Sequence, residues 1–471
     1  MWTFVLLAVG LTLSGAVAAA VPDTGQTACF DTGRGERACP PPGAALFGQD
    51  GNYATNPPRP RDNGDGTVSD PVTGLMWQKG FTRDVQWKDA ESLARRATTG
   101  GHADWRVPTI KELYSLIDFS GATGTARSFA SAPPDARPFL DTRVFAFEYP
   151  TATGARFIDA QYISSTAYTG LTMGRARTFF GVNFADGRIK GYPQEAAHRP
   201  IGWYLRLVRG PAGYGRNLFQ DDGNGAVSDR ATGLTWTKGD SGDPALRPKL
   251  GRTRLGDGRM DWREALAFCE SLSHAGADDW RLPNAKELQS LVDYGRSPQA
   301  TGSAAIDPLF QATPITDEAG RPNWPAYWTS TTHLDGPSAG ADAVIIHFGE
   351  ALGTLGGGGG GPGMGGPGMG PPGMGGPGMG PPGMGGPGMG PPGMGPPGMG
   401  RPPPGGPMMG GPMMGGGGRA APASSIIDVH GAGAQRSDPK TGDPSAYPQW
   451  GRGPQGDVRR VFNHVRCVRT G

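Results

Sequence analysis

Apolar positions along the chain recur at helical spacing in some stretches and crowd into β-branched and aromatic runs in others, and the two kinds follow one another in the same order twice. Trp87, Ala90, Leu93 and Ala97 predict one amphipathic helix, and Trp262, Ala265, Phe268, Cys269 and Leu272 predict its counterpart. Asp261, followed three residues on by Glu264, reads as the start of that helix with a capping box. Leu113, Leu116 and Ile117, then Leu288, Leu291 and Val292, supply the buried stripe of a further helix in each half. Strand-length runs come after: YISST (162–166) answers YWTST (327–331), GVNFADGRI answers VIIHFGEAL, and WYLRLVRG (203–210) answers NHVRCVRT (463–470).

The strongest repetition is ADWRVPTIKEL at 103–113 against DDWRLPNAKEL at 278–288. Trp105 and Trp280 belong to an extended segment that Pro108 and Pro283 end, and Thr109 or Asn284 then caps a helix. Glu112 and Glu287 stand three residues past the caps, where a carboxylate reaches back to the cap N–H and favours the positive helix end. This undecamer is therefore a strand-to-helix joint made by local capping. Upstream, NGDGTVSDPVTGLMW (63–77) and DGNGAVSDRATGLTW (222–236) each predict a hairpin with an Asn, Asp and Gly turn. Hairpin, helix, capped helix and several strands, closed by a last strand, make an α+β unit.

A length of 471 residues leaves room for such a unit twice. The expected organisation is an export signal over 1–20, with an apolar run ending in three alanines, and an extension over 21–60. A first domain over 61–210 and a second over 218–471 follow. The second is roughly a hundred residues longer between two of its strands. Its low-complexity insertion, 356–418, consists of Gly, Pro and Met apart from Arg401 and cannot bury a core. Glycine does not keep every third place, which argues against a collagen helix and for a flexible tether.

Four cysteines in an exported chain favour disulfides. Cys29 and Cys39 close a small loop. Cys269, on the apolar face of a helix, and Cys467, on the closing strand, would tie the second domain's beginning to its end, where the first domain has Ala94 and Leu207. A net charge of +2 gives no footprint of a nucleic-acid binder, and no later stretch is apolar enough to span a membrane. No cofactor is expected. RDNGDGTVSD (61–70) and QDDGNGAVSD (220–229) have the alternating oxygens of calcium loops, but Arg61 and Val72, or Gln220 and Ala231, stand where a helix-flanked calcium loop needs acids, so an Asx-rich turn is expected. The evenly spaced methionines from Met364 to Met399, with Met408, Met409, Met413 and Met414, offer soft ligands to copper, but repeat expansion yields the same pattern without a ligand. Arg452, Arg459, Arg460, Arg466 and Arg469 could meet an anionic polysaccharide, or serve as a solvated strand edge. No nucleophile motif occurs.

On the strength of DNGDGTVSDPVTGLMWQK, DWRVPTIKEL and YISST, with their partners VSDRATGLTW, DWRLPNAKEL and YWTST, the chain resembles a tandem pair of the bacterial domain named for the C-terminal domain of the Legionella collagen-like adhesin. The resemblance implies two C-type lectin-like domains, each of two helices and a looped antiparallel sheet, in an exported, non-catalytic binding protein for glycans or other envelope polymers. The lectin calcium motifs are absent. A formylglycine-generating oxidoreductase, from the same superfamily, is the enzymatic alternative, but it needs reactive cysteines. A scaffold for envelope proteins is the third reading.

Overall fold

A computed structural model describes residues 20–33, 35–125, 129–152, 155–195, 202–251, 253–354, 426–446 and 456–471. The export signal up to residue 19, the 356–418 insertion with its methionines, and Arg452 lie outside the described residues.

The first repeat opens with the hairpin β1 (Thr67–Asp70) and β2 (Leu75–Gln78), in which Val68 faces Trp77 and both are fully buried. Gly74, at φ +71°, turns the chain where a side chain would be strained. Strand β3 (Thr82–Val85) leads through a tight turn into α1 (Ala90–Arg96) and then α2 (Ile110–Ser115). The sheet strands follow as β4 (Gln161–Ala167), β5 (Thr178–Asn183), β6 (Arg188–Pro193) and β7 (Trp203–Leu205). Last, β8 (Val208–Arg209) returns to β2.

The second repeat follows the same path through β9 (Ala226–Asp229), β10 (Leu234–Thr237), α3 (Trp262–Glu270), α4 (Ala285–Ser290), β11 (Ala326–His333) and β12 (Asp342–His347). Further strands are β13 (Leu352–Thr354), β14 (Ile426–Asp428), β15 (Gln435–Pro439) and β16 (Val468–Thr470), the last of which pairs with β10. Matching indoles confirm the equivalence: Trp87 and Trp262 donate to the carbonyls of Ser164 and Thr329, and Trp105 and Trp280 to those of Thr99 and His274. Capping boxes form at Thr109 with Glu112, Asn284 with Glu287, and Asp261 with Glu264. Cys29 is bonded to Cys39, and Cys269 to Cys467. In the first repeat Ala94 and Leu207 sit in one apolar cluster instead.

The two repeats share one sheet of eight strands, in the order β11-β12-β15-β6-β5-β4-β7-β3, and the join is the antiparallel pairing of Gln435 with Ile189. The described parts of both repeats form one compact unit. A single apolar core runs from Val68, Leu113 and Tyr162 to Leu288, Val292 and Tyr327. Where α2 meets α4, Lys111 near the start of one helix donates to the Ser290 carbonyl at the end of the other, 2.7 Å away. Lys286 returns the bond to Ser115 at 2.8 Å. The extension after residue 20 packs into the same junction: the Gln26 amide accepts from the Thr332 N–H and donates to its carbonyl, as a neighbouring strand would.

Two pairings read from the sequence are corrected here. The Ser164 and Thr329 hydroxyls donate to the Phe180 and Val344 carbonyls, so β5 and β12 correspond one residue away from the Gly181–Val344 match. These strands are buried on both faces, and without alternation nothing in the sequence fixes register. Further along, Leu352 stands where the sequence predicts the counterpart of β6, yet β15 fills that place beside β12. Leu352 instead joins β13 to β14 in a two-stranded ribbon, with Thr354 opposite Ile426 at its open end. The insertion thus interrupts the chain between the two strands of this ribbon, ahead of the strand that completes the sheet.

Candidate functional site

A groove of about 440 Å³ opens on the second repeat between the loop before α3, the 313–318 segment and the 459–464 segment. Backbone pairing of Met260 with Asn463 brings the first and last of these together. Asp438, on β15, accepts from the Arg460 N–H and the Asn463 side-chain amide, fixing the turn between them. Burial raises the Asp438 carboxyl to about 6, against the pull of Arg459.

Arg247, Arg259, Arg459 and Arg460 line the groove, against the carboxylates of Asp257 and Glu318. Arg460 holds Glu318 through two bonds of 2.6 Å, a fork geometry that fixes both side chains. Arg459 reaches Asp342 at 2.6 Å. Arg259 and Asp257 pair at 2.6 Å with both side chains in solvent, where an ion pair is weak and exchangeable. Arg247 donates to the Gly242 carbonyl and is itself exposed. Phe462 and Pro325 add apolar wall, and His464 is held neutral by burial. Asp257, Glu318 and Asp342 pair with Arg259, Arg460 and Arg459, so the four guanidinium groups exceed their carboxylate partners by one positive charge, at Arg247.

The sequence placed Arg459 and Arg460 in its basic end segment; the structure separates them from Arg466 and Arg469. Arg466 is wholly buried, donating to the carbonyls of Thr237, Lys238 and Gln311, and is no solvated edge. Arg206 repeats this in the first repeat with Gln78, Lys79 and Ala146. A guanidinium offers the five donors that such convergence of carbonyls requires. Arg469 pairs with Asp279 beside β16. Arg247, Arg259 and His464, distant in sequence from one another, carried no signal that could have grouped them.

The undecamer joint also holds more than its caps. Arg281 grips Glu287 through bonds of 2.7 and 2.6 Å, and Arg106 grips Glu112 likewise, so the Arg of the motif locks the Glu that caps the helix. In the Asx-rich turns the acids are engaged locally. Asp62 bonds Lys79, Asp65 bonds Thr67, Asp70 bonds Thr73, and Asp229 bonds Asn217 and Thr232. Among the described residues no three His, Cys, Asp or Glu side chains gather as a metal site, and no described helix is long and apolar enough to cross a membrane.

No curated protein and no solved structure matches the chain. The Lcl C-terminal domain family matches it twice, over residues 66–209 and 225–357. The second match stops at the insertion, so β15 and β16, which complete that unit, lie beyond it. Two tandem copies cover more than half of the sequence, and the chain belongs to the Lcl C-terminal domain family.

Proposed function

We propose that this is an exported, non-catalytic binding protein of adhesin type, built from two C-type lectin-like units, that engages acidic glycans or similar envelope polymers through the arginine-lined groove of the second repeat. The observation that carries the reading is the exposure of two guanidinium groups in one groove: Arg247 stands in solvent, Arg259 is held only by an exposed ion pair, and Phe462 adds apolar wall. Flexible polyanions are held by such arrays of guanidinium groups, at strengths that salt reduces. Family membership supports the adhesin-type reading, and two disulfides suit an oxidising compartment. All four cysteines are bonded, which leaves no free thiol for formylglycine-type chemistry.

The test is an array of heparin, alginate and neutral dextran probed with the full chain at low and high salt, with and without calcium chelator. Acidic polymers are expected to bind in chelator and to release in salt, and the Arg247→Glu, Arg259→Glu double variant to lose at least about tenfold in affinity. Equal binding of dextran, or full binding by the double variant, would overturn the reading. An empty array with specific capture of an envelope protein would favour a scaffold.

A further inference from the structure

The ladder joining the two repeats carries buried charge on one face. Pairing of Ile189 with Gln435 sets Arg188 opposite Arg436 on neighbouring strands. Arg188 Nη2 also reaches Ser437 Oγ at 2.9 Å. The two arginines are only 7% and 6% exposed. Each has a carboxylate partner, Asp335 for Arg188 and Asp457 for Arg436, while Lys190 pairs with Asp186. His430 Nε2 donates to the other Asp457 oxygen at 3.1 Å.

These pairs do not use up the guanidinium donors. Among the described residues, Arg188 Nε and both Nε and Nη1 of Arg436 are buried without a partner. Buried donors in folded proteins are nearly always satisfied by protein, water or an ion, and each orphan is costly. The shortfall concentrates on Arg436, whose guanidinium is pulled down to about 9 by burial and by facing Arg188. One water oxygen can accept from two donors, whereas a single anion can accept from all three of the orphan N–H groups.

We propose that the seam between the repeats is a binding site for a small inorganic anion of chloride size, held by Arg436 and Arg188 at the junction of β15 and β6. The ion locks the two halves together: it ties a strand from beyond the insertion to the last hairpin strand of the first repeat. It is separate from the arginine-lined groove and needs no glycan ligand.

Bromide is the probe. Crystals of the full chain grown with bromide in place of chloride are expected to show an anomalous peak within about 3.5 Å of an Arg436 guanidinium nitrogen. In solution, replacing gluconate by bromide at fixed ionic strength should raise the wild-type Tm by about 3 °C and then saturate. Arg436→Met should abolish the saturable part. If that variant does not fold, the diffraction peak decides alone. Ordinary water density with no anomalous signal, or a saturable rise unchanged in Arg436→Met, overturns the proposal.

Discussion

Lys111 and Lys286 hold equivalent places in the two repeats, and each donates to the last carbonyl of the helix that carries the other, at Ser290 and Ser115. The helices therefore run past one another in opposite senses, and each lysine closes the partner helix's unsatisfied end. Lys286 is the deeper of the two and also holds the Asp23 carbonyl. Burial lowers its ammonium to about 8, so at neutral pH the charge is retained at a cost. Lys286→Ala, which strands two carbonyls and opens a gap, is expected to lose about 2–4 kcal/mol in urea unfolding. Lys286→Met strands the same two carbonyls but keeps the stem, and should lose less by the gap that it fills. A Lys286→Met variant as stable as the wild type would show that the carbonyl bonds are not what matters.

The Cys269–Cys467 bridge spans 198 residues and the Cys29–Cys39 bridge 10. Loop-closure entropy makes the first worth about 5 kcal/mol and the second about 3 kcal/mol. Paired Cys269→Ala, Cys467→Ala substitution should lower the unfolding midpoint more than the Cys29, Cys39 pair does. Calorimetry of the two double variants compares them directly, and the reverse ranking would count against the closure account.

Thr354 and Ile426 are cross-strand neighbours at the open end of the β13–β14 ribbon. Replacing residues 355–425 by a two-residue Asn-Gly turn is therefore expected to close a hairpin there and leave the Tm within about 2 °C of the full chain. A large drop in Tm would mean that the removed stretch contributes to the fold.

Asp50 ties the extension to the second repeat by accepting from the hydroxyls of Thr24 and Thr331. Burial first, and the nearby Asp23 next, raise its carboxyl from 3.8 to about 7. A carboxyl with a raised folded pKa favours the native state fully below about pH 4 and loses that contribution as pH rises through about 7. Asp50→Asn keeps an acceptor for both hydroxyls without the charge. It should be more stable than the wild type at pH 8 by at least about 1–2 kcal/mol and nearly equal to it at pH 4. Urea midpoints at the two pH values measure this, and a uniform loss at both would refute it.

Features within about a dozen residues of one another were legible from the chain. The hairpins facing Val68 to Trp77 and Val227 to Trp236, the caps at Thr109, Asn284 and Asp261, and the amphipathic helices all arise from local hydrogen bonding and periodicity. The duplication then let one copy check the other, and placed Cys269 and Cys467 at the ends of one unit. Three things were decided only by tertiary packing. The sheet continues across the repeats because Ile189 meets Gln435, strands that the insertion holds far apart in sequence. β15 takes the place that position in the chain assigned to β13, because pairing with β12 depends on which strand reaches the open edge. Arg466, which the sequence offered as part of a solvated strand edge, turned inward, as did Lys286, Arg281 and Arg206, for which the sequence offered no reading, because carbonyls and carboxylates converge on them. A sequence states which groups can donate; only the assembled chain determines where the acceptors are.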